Sequence, residues 1–210
     1  MERRSFLRTA LCGAAFFSMN RMLLGERQCG PAVPVMTPFG ARPIQQCEVG
    51  IESLTFKGAY QQSSEWCWAA CISMVFDYYG HAVDQQRIVR ETWGSVVNMP
   101  GQPGQILHDL NRKWTDDEGE DFRCYGDMLS VNLNTAVQDL DNDHPLIIGA
   151  LGHATVLTAI AWTVDLATSQ WAIQQVIVRD PWPGNGGRRI LSPVEWANIN
   201  FAARVRVTAA

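Results

Sequence analysis

Apolar side chains recur at Trp68, Ile72, Val75 and Tyr79. That three-to-four-residue step predicts a helix over 66–79. Cys71, Met74 and Phe76 widen the stripe, and only Ser73 and Asp77 look wet, so the helix reads as mostly buried. Ser63 or Ser64 is placed to cap it and Gly80 to end it. Asp84 opens a second helix, "QQRIVRETW", which Gly94 stops. A Pro/Gly loop, "NMPGQPG", leads to a third, "QILHDLNRKW", and "LNTAVQDLD" fits a fourth. The intervening "TDDEGED" reads as an acidic, solvated loop rather than a metal site.

The second half changes period. "PLIIGAL", "HATVLTAIAW", "QWAIQQVIVRD" and "AARVRV" are rich in β-branched and aromatic residues at strand lengths. A short helix, "PVEWANI", follows Ser192 as cap and carries Pro193 in its first turn. Helices first and strands afterwards predict a segregated α+β fold with an antiparallel sheet. Residues 30–55, with "PAVPVMTPFGARP", read as an extended leader or linker, so the domain is expected over 56–210.

Composition narrows the function. The chain has 210 residues, 47% of them hydrophobic and 18% charged, which is globular rather than disordered. A formal charge of −4 offers no basic surface to nucleic acid. No run of 18 apolar residues suggests a membrane span. The start, "MERRSFLRTALCGAAFF", resembles a bacterial twin-arginine export signal, expected over 1–29 and implying a periplasmic or secreted protein. On that reading Cys12 leaves with the signal, and Cys29 stands at its boundary. An oxidising compartment then permits one disulfide among Cys47, Cys67, Cys71 and Cys124. Cys67 and Cys71 should not pair with each other, because side chains four apart on a helix project in parallel.

The candidate chemistry lies in "QQSSEWCWAAC", residues 61–71. Cys67 falls in the first turn of the first helix, where unpaired N–H groups and the helix dipole favour a nearby anion. Of the four histidines, His153 follows "GALG" and opens a strand, a place where an imidazole can face a cleft. If "VDLATS" turns a hairpin, His153 falls opposite Asp180, Thr155 opposite Val178 and Leu157 opposite Val176. Asp180 then orients the imidazole, unless it serves only to start the "DPWPGNGG" turn. Gln61, six positions before Cys67, can offer its side-chain amide to an oxyanion beside the Cys67 N–H, with Gln62 as the rival. Trp66 and Trp68 read as core.

With "QQSSEWCWAA", "GALGHATVLTAIAW" and "VIVRDPWPGNGG" in place, the chain resembles the papain-like cysteine peptidases over about residues 56–207. Among these it is similar to compact bacterial members, the C39-like peptidases and the C70 secreted effector proteases. The resemblance implies a helical lobe followed by an antiparallel sheet lobe, with the active site between them. It implies Cys67 as nucleophile, His153 as base, Asp180 as orienter and Gln61 as oxyanion donor. It places Trp182 over the catalytic pair, at the substrate. The substrate is then a peptide or protein, and no cofactor or metal is required. Asp180 stands where papain has asparagine, and Cys71 is a second thiol on the catalytic helix. The same triad also serves deamidation, acyl transfer or peptidoglycan amide hydrolysis, and a decayed scaffold would be a binding module.

Overall fold

The computed structural model describes residues 27–38, 40–51, 56–129, 132–185 and 187–210. Most of the export-signal reading, over 1–26, lies outside the described residues.

Helix α1, Cys67–Tyr78, is the first expected helix and, among the described helices, the only one buried along nearly its whole length. Its end follows the sequence: Gly80 takes a left-handed φ of 87°, and the His81 N–H returns to the Phe76 carbonyl. Its start does not. Trp66 is the cap residue, and neither Ser63 nor Ser64 donates a capping side chain. The Ser64 hydroxyl instead accepts from Asn98 Nδ2 at 2.9 Å. The first N–H groups of α1 are therefore left without a side-chain cap.

Helix α2, Gln85–Trp93, is capped by Asp84, whose carboxylate accepts from the Gln86 N–H at 2.8 Å. It ends at Gly94, φ 75°. Helix α3 is shorter than expected, Pro103–Asp109. The Asn111 amide stops it by donating to Leu107 and Gly126 carbonyls and accepting from the Gly126 N–H. Lys113–Thr115 then forms a strand, β4 in chain order, paired with β5, Asp121–Met128. The acidic stretch is the turn of this hairpin, and Asp116 within it is buried rather than solvated. It accepts from the Glu118 and Glu120 N–H groups and pairs with His81 Nδ1 at 2.9 Å. Helix α4, Leu133–Asp141, matches the fourth expected helix and is capped by Asn132.

The stretch over 30–55 is extended but is not a linker. It holds β2, Val33–Thr37, and β3, Gly40–Gly50, which form a hairpin. Strand β3 pairs with the long strand β7, His153–Asp165, from Ile44↔Asp165 to Gly50↔Ala159. Strand β1, Gln28–Cys29, adds to its other edge. Cys29 and Cys47 form a disulfide across that pair. Cys29 is thus part of the folded domain, and the bond is not one of those the sequence reading allowed. Closing 18 residues of chain, it is worth about 3 kcal/mol by loop entropy. Reduction by dithiothreitol is expected to lower the melting midpoint by roughly 5–10 °C; scanning calorimetry with and without reductant checks this.

The remaining strands are β6, Leu146–Ala150; β8, Gln170–Arg179; β9, Arg188–Ile190; and β10, Ile199–Ala209. The short helix α5, Pro193–Ala197, lies between the last two. The sheet runs β1-β3-β7-β6-β10-β5-β4, with β2 on β3 and β8 and β9 extending from β7, every pair antiparallel. Helix α1 lies against β7. Its Phe76 meets Trp114 and Phe122 edge-on at 5.5 and 5.0 Å. Burying each such ring contributes about 2–3 kcal/mol, so this cluster fixes the helix on the sheet. The result is the α+β arrangement expected, with the start of α1 and the start of β7 brought together.

Candidate active site

Cys67 is the first residue of α1 and is partly exposed. Trp66 and Trp68 on either side are core, as expected, and their indole N–H groups donate to the Val97 and Met99 carbonyls at 2.8 and 3.1 Å. Those two bonds hold the 94–102 loop against the start of the helix. The loop passes so close that a Cβ on Gly101 would stand 2.5 Å from the Trp68 ring. Ala69 and Ala70 are fully buried behind the thiol. The other free cysteines, Cys71 and Cys124, are buried. Burial, then the neighbouring charges of Cys67 and Asp180, push the Cys71 thiol well above its usual range. Burial pushes Cys124 up to about 12. Among the described free thiols only Cys67 reaches solvent.

His153 opens β7 after a two-residue turn, Leu151 and Gly152, both left-handed at φ 53° and 80°. Its Nε2 bonds Asp180 Oδ1 at 2.7 Å. Burial alone would lower its pKa, but hydrogen bonds with Asp180 and Cys67, and their charges, push it up to about 9. Nε2 is committed to Asp180, which leaves Nδ1 as the ring nitrogen available to Cys67. The structure thus brings the three residues together.

The route differs from the expected register. Leu157 pairs with Val178 and Val156 with Arg179, so Asp180 continues opposite Thr155 rather than His153. Bulges between Leu157 and Ala159 and between Ala161 and Trp162 shift the pairing. Near the site the slip is two residues, which preserves the face, so His153 reaches Asp180 diagonally.

Asp180 is buried, and burial alone would raise its pKa. Four hydrogen bonds hold it well below the usual carboxylate range instead. Oδ1 accepts from His153 and from the Trp182 N–H at 2.8 Å; Oδ2 accepts from Asn185 Nδ2 at 2.8 Å and Arg189 Nε at 2.5 Å. Asp180 therefore bonds His153 and also ties together its own turn through Trp182 and Asn185. Asn185 and Arg189 were not singled out from sequence. An amide in a Gly/Pro turn and an arginine in a three-residue strand both look like surface.

Gln61 is buried in the loop before Cys67, its N–H bonded to the Pro181 carbonyl at 2.8 Å. Its amide nitrogen donates to the Ser63 and Ser64 carbonyls, each at 2.8 Å. Gln62 is turned away, bonded to Asp84 and Gln85 at the start of α2. Trp182, 45% exposed, stands edge-on to His153 with ring centroids 6.4 Å apart. With Pro183 and residues 61–64 it lines a cleft of about 310 Å³ beside the site.

The family description "Peptidase_C39 like family" matches residues 53–204. The chain belongs to that family. It is a thiol peptidase with a papain-like α+β fold. Among solved structures it is similar to the peptidase domain of Streptococcus ComA, a bifunctional ABC transporter involved in quorum sensing. Identity is 15%, the TM-score 0.50, and the match covers 74% of this chain and 99% of that one. A double-glycine-motif protease from an AMS/PCAT transporter, solved with its leader peptide, matches at 15% identity and a TM-score of 0.47, covering 77% and 98%. UfSP from C. elegans matches at 13% identity and 0.46, covering 91% of this chain and 36% of that one. No curated protein matches the sequence. Among the described residues of this C39-like peptidase, no helix is long and apolar enough to cross a membrane.

Proposed function

We propose that this C39-like peptidase hydrolyses peptide bonds through Cys67, His153 and Asp180 by way of a thioester. The observation that supports the reading is the imidazole of His153, hydrogen-bonded to a buried carboxylate on one side and pushed up in pKa by the neighbouring Cys67, the only solvent-reaching free thiol among the described residues. A protonated imidazole stabilises a neighbouring thiolate, as does the start of α1. The thiolate attacks the scissile carbonyl, forming a C–S bond. The oxyanion is met by the Cys67 N–H, which no side-chain cap occupies. Gln61 is the second donor, by exchanging one of its carbonyl partners for the oxyanion. His153 gives its proton to the leaving amine, which departs as the C–N bond breaks. The now neutral imidazole takes a proton from water, which attacks the thioester and restores the thiolate. Trp182 shields the imidazole–carboxylate pair and lines the cleft that receives the substrate.

We further infer export, on residues outside the site. The Cys29–Cys47 disulfide supports an oxidising compartment, in keeping with export through the twin-arginine-like start. In that reading the signal is cut before Cys29, shorter than the 1–29 expected.

The test is incubation of the protein with a defined peptide mixture, read by mass spectrometry, with and without iodoacetamide pretreatment. The expected result is new peptide termini in the untreated sample and none after alkylation. Mass changes confined to glutamine side chains would replace peptidase by deamidase. Intact peptides in both samples, with release of muropeptide fragments instead, would replace it by amidase.

A further inference from the structure

Asp180 is an anion buried where burial opposes its charge. Two of its donors, the Trp182 N–H and the Asn185 amide, are neutral. A third, His153, is cationic for only part of a catalytic cycle, because it delivers its proton to the leaving group. The fourth is Arg189, which is charged throughout. Arg189 is itself fixed. Its Nη2 and Nη1 bond the two Glu195 oxygens at 2.7 and 3.1 Å, a planar fork. Glu195 also accepts from the Ser192 N–H at 2.9 Å, in the capping box of α5.

We propose that Arg189, locked by Glu195, is a positioning residue of the peptidase. It keeps Asp180 ionised and aimed at His153 Nε2 while the imidazole cycles between its charged and neutral forms. The inference rests on the triad reading above. When His153 becomes neutral, Asp180 still accepts its Nε2–H. The ring cannot turn over, and Nδ1 stays directed at Cys67. The titratable groups facing Asp180 are His153 from β7, Arg189 from β9 and Cys71 from α1; Cys67 from α1 faces His153, and Glu195 from α5 faces Arg189. Of these only Arg189 supplies a cation that the reaction does not move.

The test uses the full chain and iodoacetamide as probe, measuring the rate of Cys67 alkylation against pH in wild type, Arg189→Met and Arg189→Lys, with folding checked by circular dichroism. Losing the cation raises the pH at which Asp180 takes up a proton. The acidic limb of the profile should therefore move up by about one unit in Arg189→Met. Lysine keeps the charge without the fork, so it should restore the limb while the plateau rate stays several-fold low. If Arg189→Met does not fold, the lysine variant decides: a plateau equal to wild type overturns the proposal. So does an unshifted limb in folded Arg189→Met. A wild type whose Cys67 reacts no faster than Cys71 and Cys124 overturns the triad reading and this inference together.

Discussion

Cys67→Ala is expected to abolish peptide hydrolysis, a loss of at least about a thousandfold, while leaving the fold intact. On the proposed mechanism the nucleophile is irreplaceable because neither other free thiol among the described residues can take its place. Cys71, one turn on, is fully buried, and burial holds it protonated far above its usual range. Cys124 is buried on β5. Losing the Cys67 sulfur opens no sealed cavity, since the side chain is partly exposed, so the melting midpoint should move by no more than about 2 °C. Cys71→Ala should do the reverse. Turnover is retained, and stability falls by about 1 kcal/mol from the space left under Cys67. Initial rates on a cleaved peptide and thermal melts of both variants check the pair. Hydrolysis by Cys67→Ala at the wild-type rate would remove the thiol mechanism.

Much of this site can be read from the chain, and what cannot has physical reasons. Cys67 is legible because helix periodicity from Trp68 to Tyr79 fixes where the helix begins. The pairing of His153 with Asp180 is legible in face but not in register. The two bulges in β7–β8 shift the register, and no local pattern in the sequence encodes them. The same holds at the N-terminal side. "PAVPVMTPFGARP" is rich in residues that avoid central strands, yet β3 pairs with β7 through the later part of the segment, "IQQCEVG". A proline-rich edge hairpin leading into a paired strand looks locally like a linker. Strand β5 was hidden by its charged outer face, since only Phe122, Cys124 and Gly126 point inward.

On the proposed mechanism the absent serine cap at α1 serves function rather than helix stability. A capping hydroxyl would accept from the N–H groups that an oxyanion needs, at a gain of about 1 kcal/mol to the fold. Here the Ser64 hydroxyl is turned to Asn98 and the start of the helix is left to the thiol. Local rules that favour a cap lose to the requirement of the site.

His153→Ala is expected to lower hydrolysis by about a thousandfold, because the proton carrier and the counter-ion of the thiolate vanish together. It should also change how stability depends on pH. The His153 pKa rises from 6.5 to about 9 on folding, so the pair stabilises the fold fully below 6.5 and loses that contribution as pH rises through about 9. Asp180 is held below the ordinary carboxylate value of 3.8, so its contribution is present above that value and is lost as pH falls below it. Wild type should therefore be most stable between about 4 and 6.5, and its denaturation midpoint should decline toward pH 9. In His153→Ala the decline above 6.5 is removed, while Arg189 and Asn185 still hold Asp180 ionised, so the acid side persists. Urea denaturation of both proteins across pH 4 to 9.5 measures the difference. A wild-type curve as flat as the variant's above neutrality would mean that the imidazole is not charged in the folded protein, and the ion-paired thiol would fall with it.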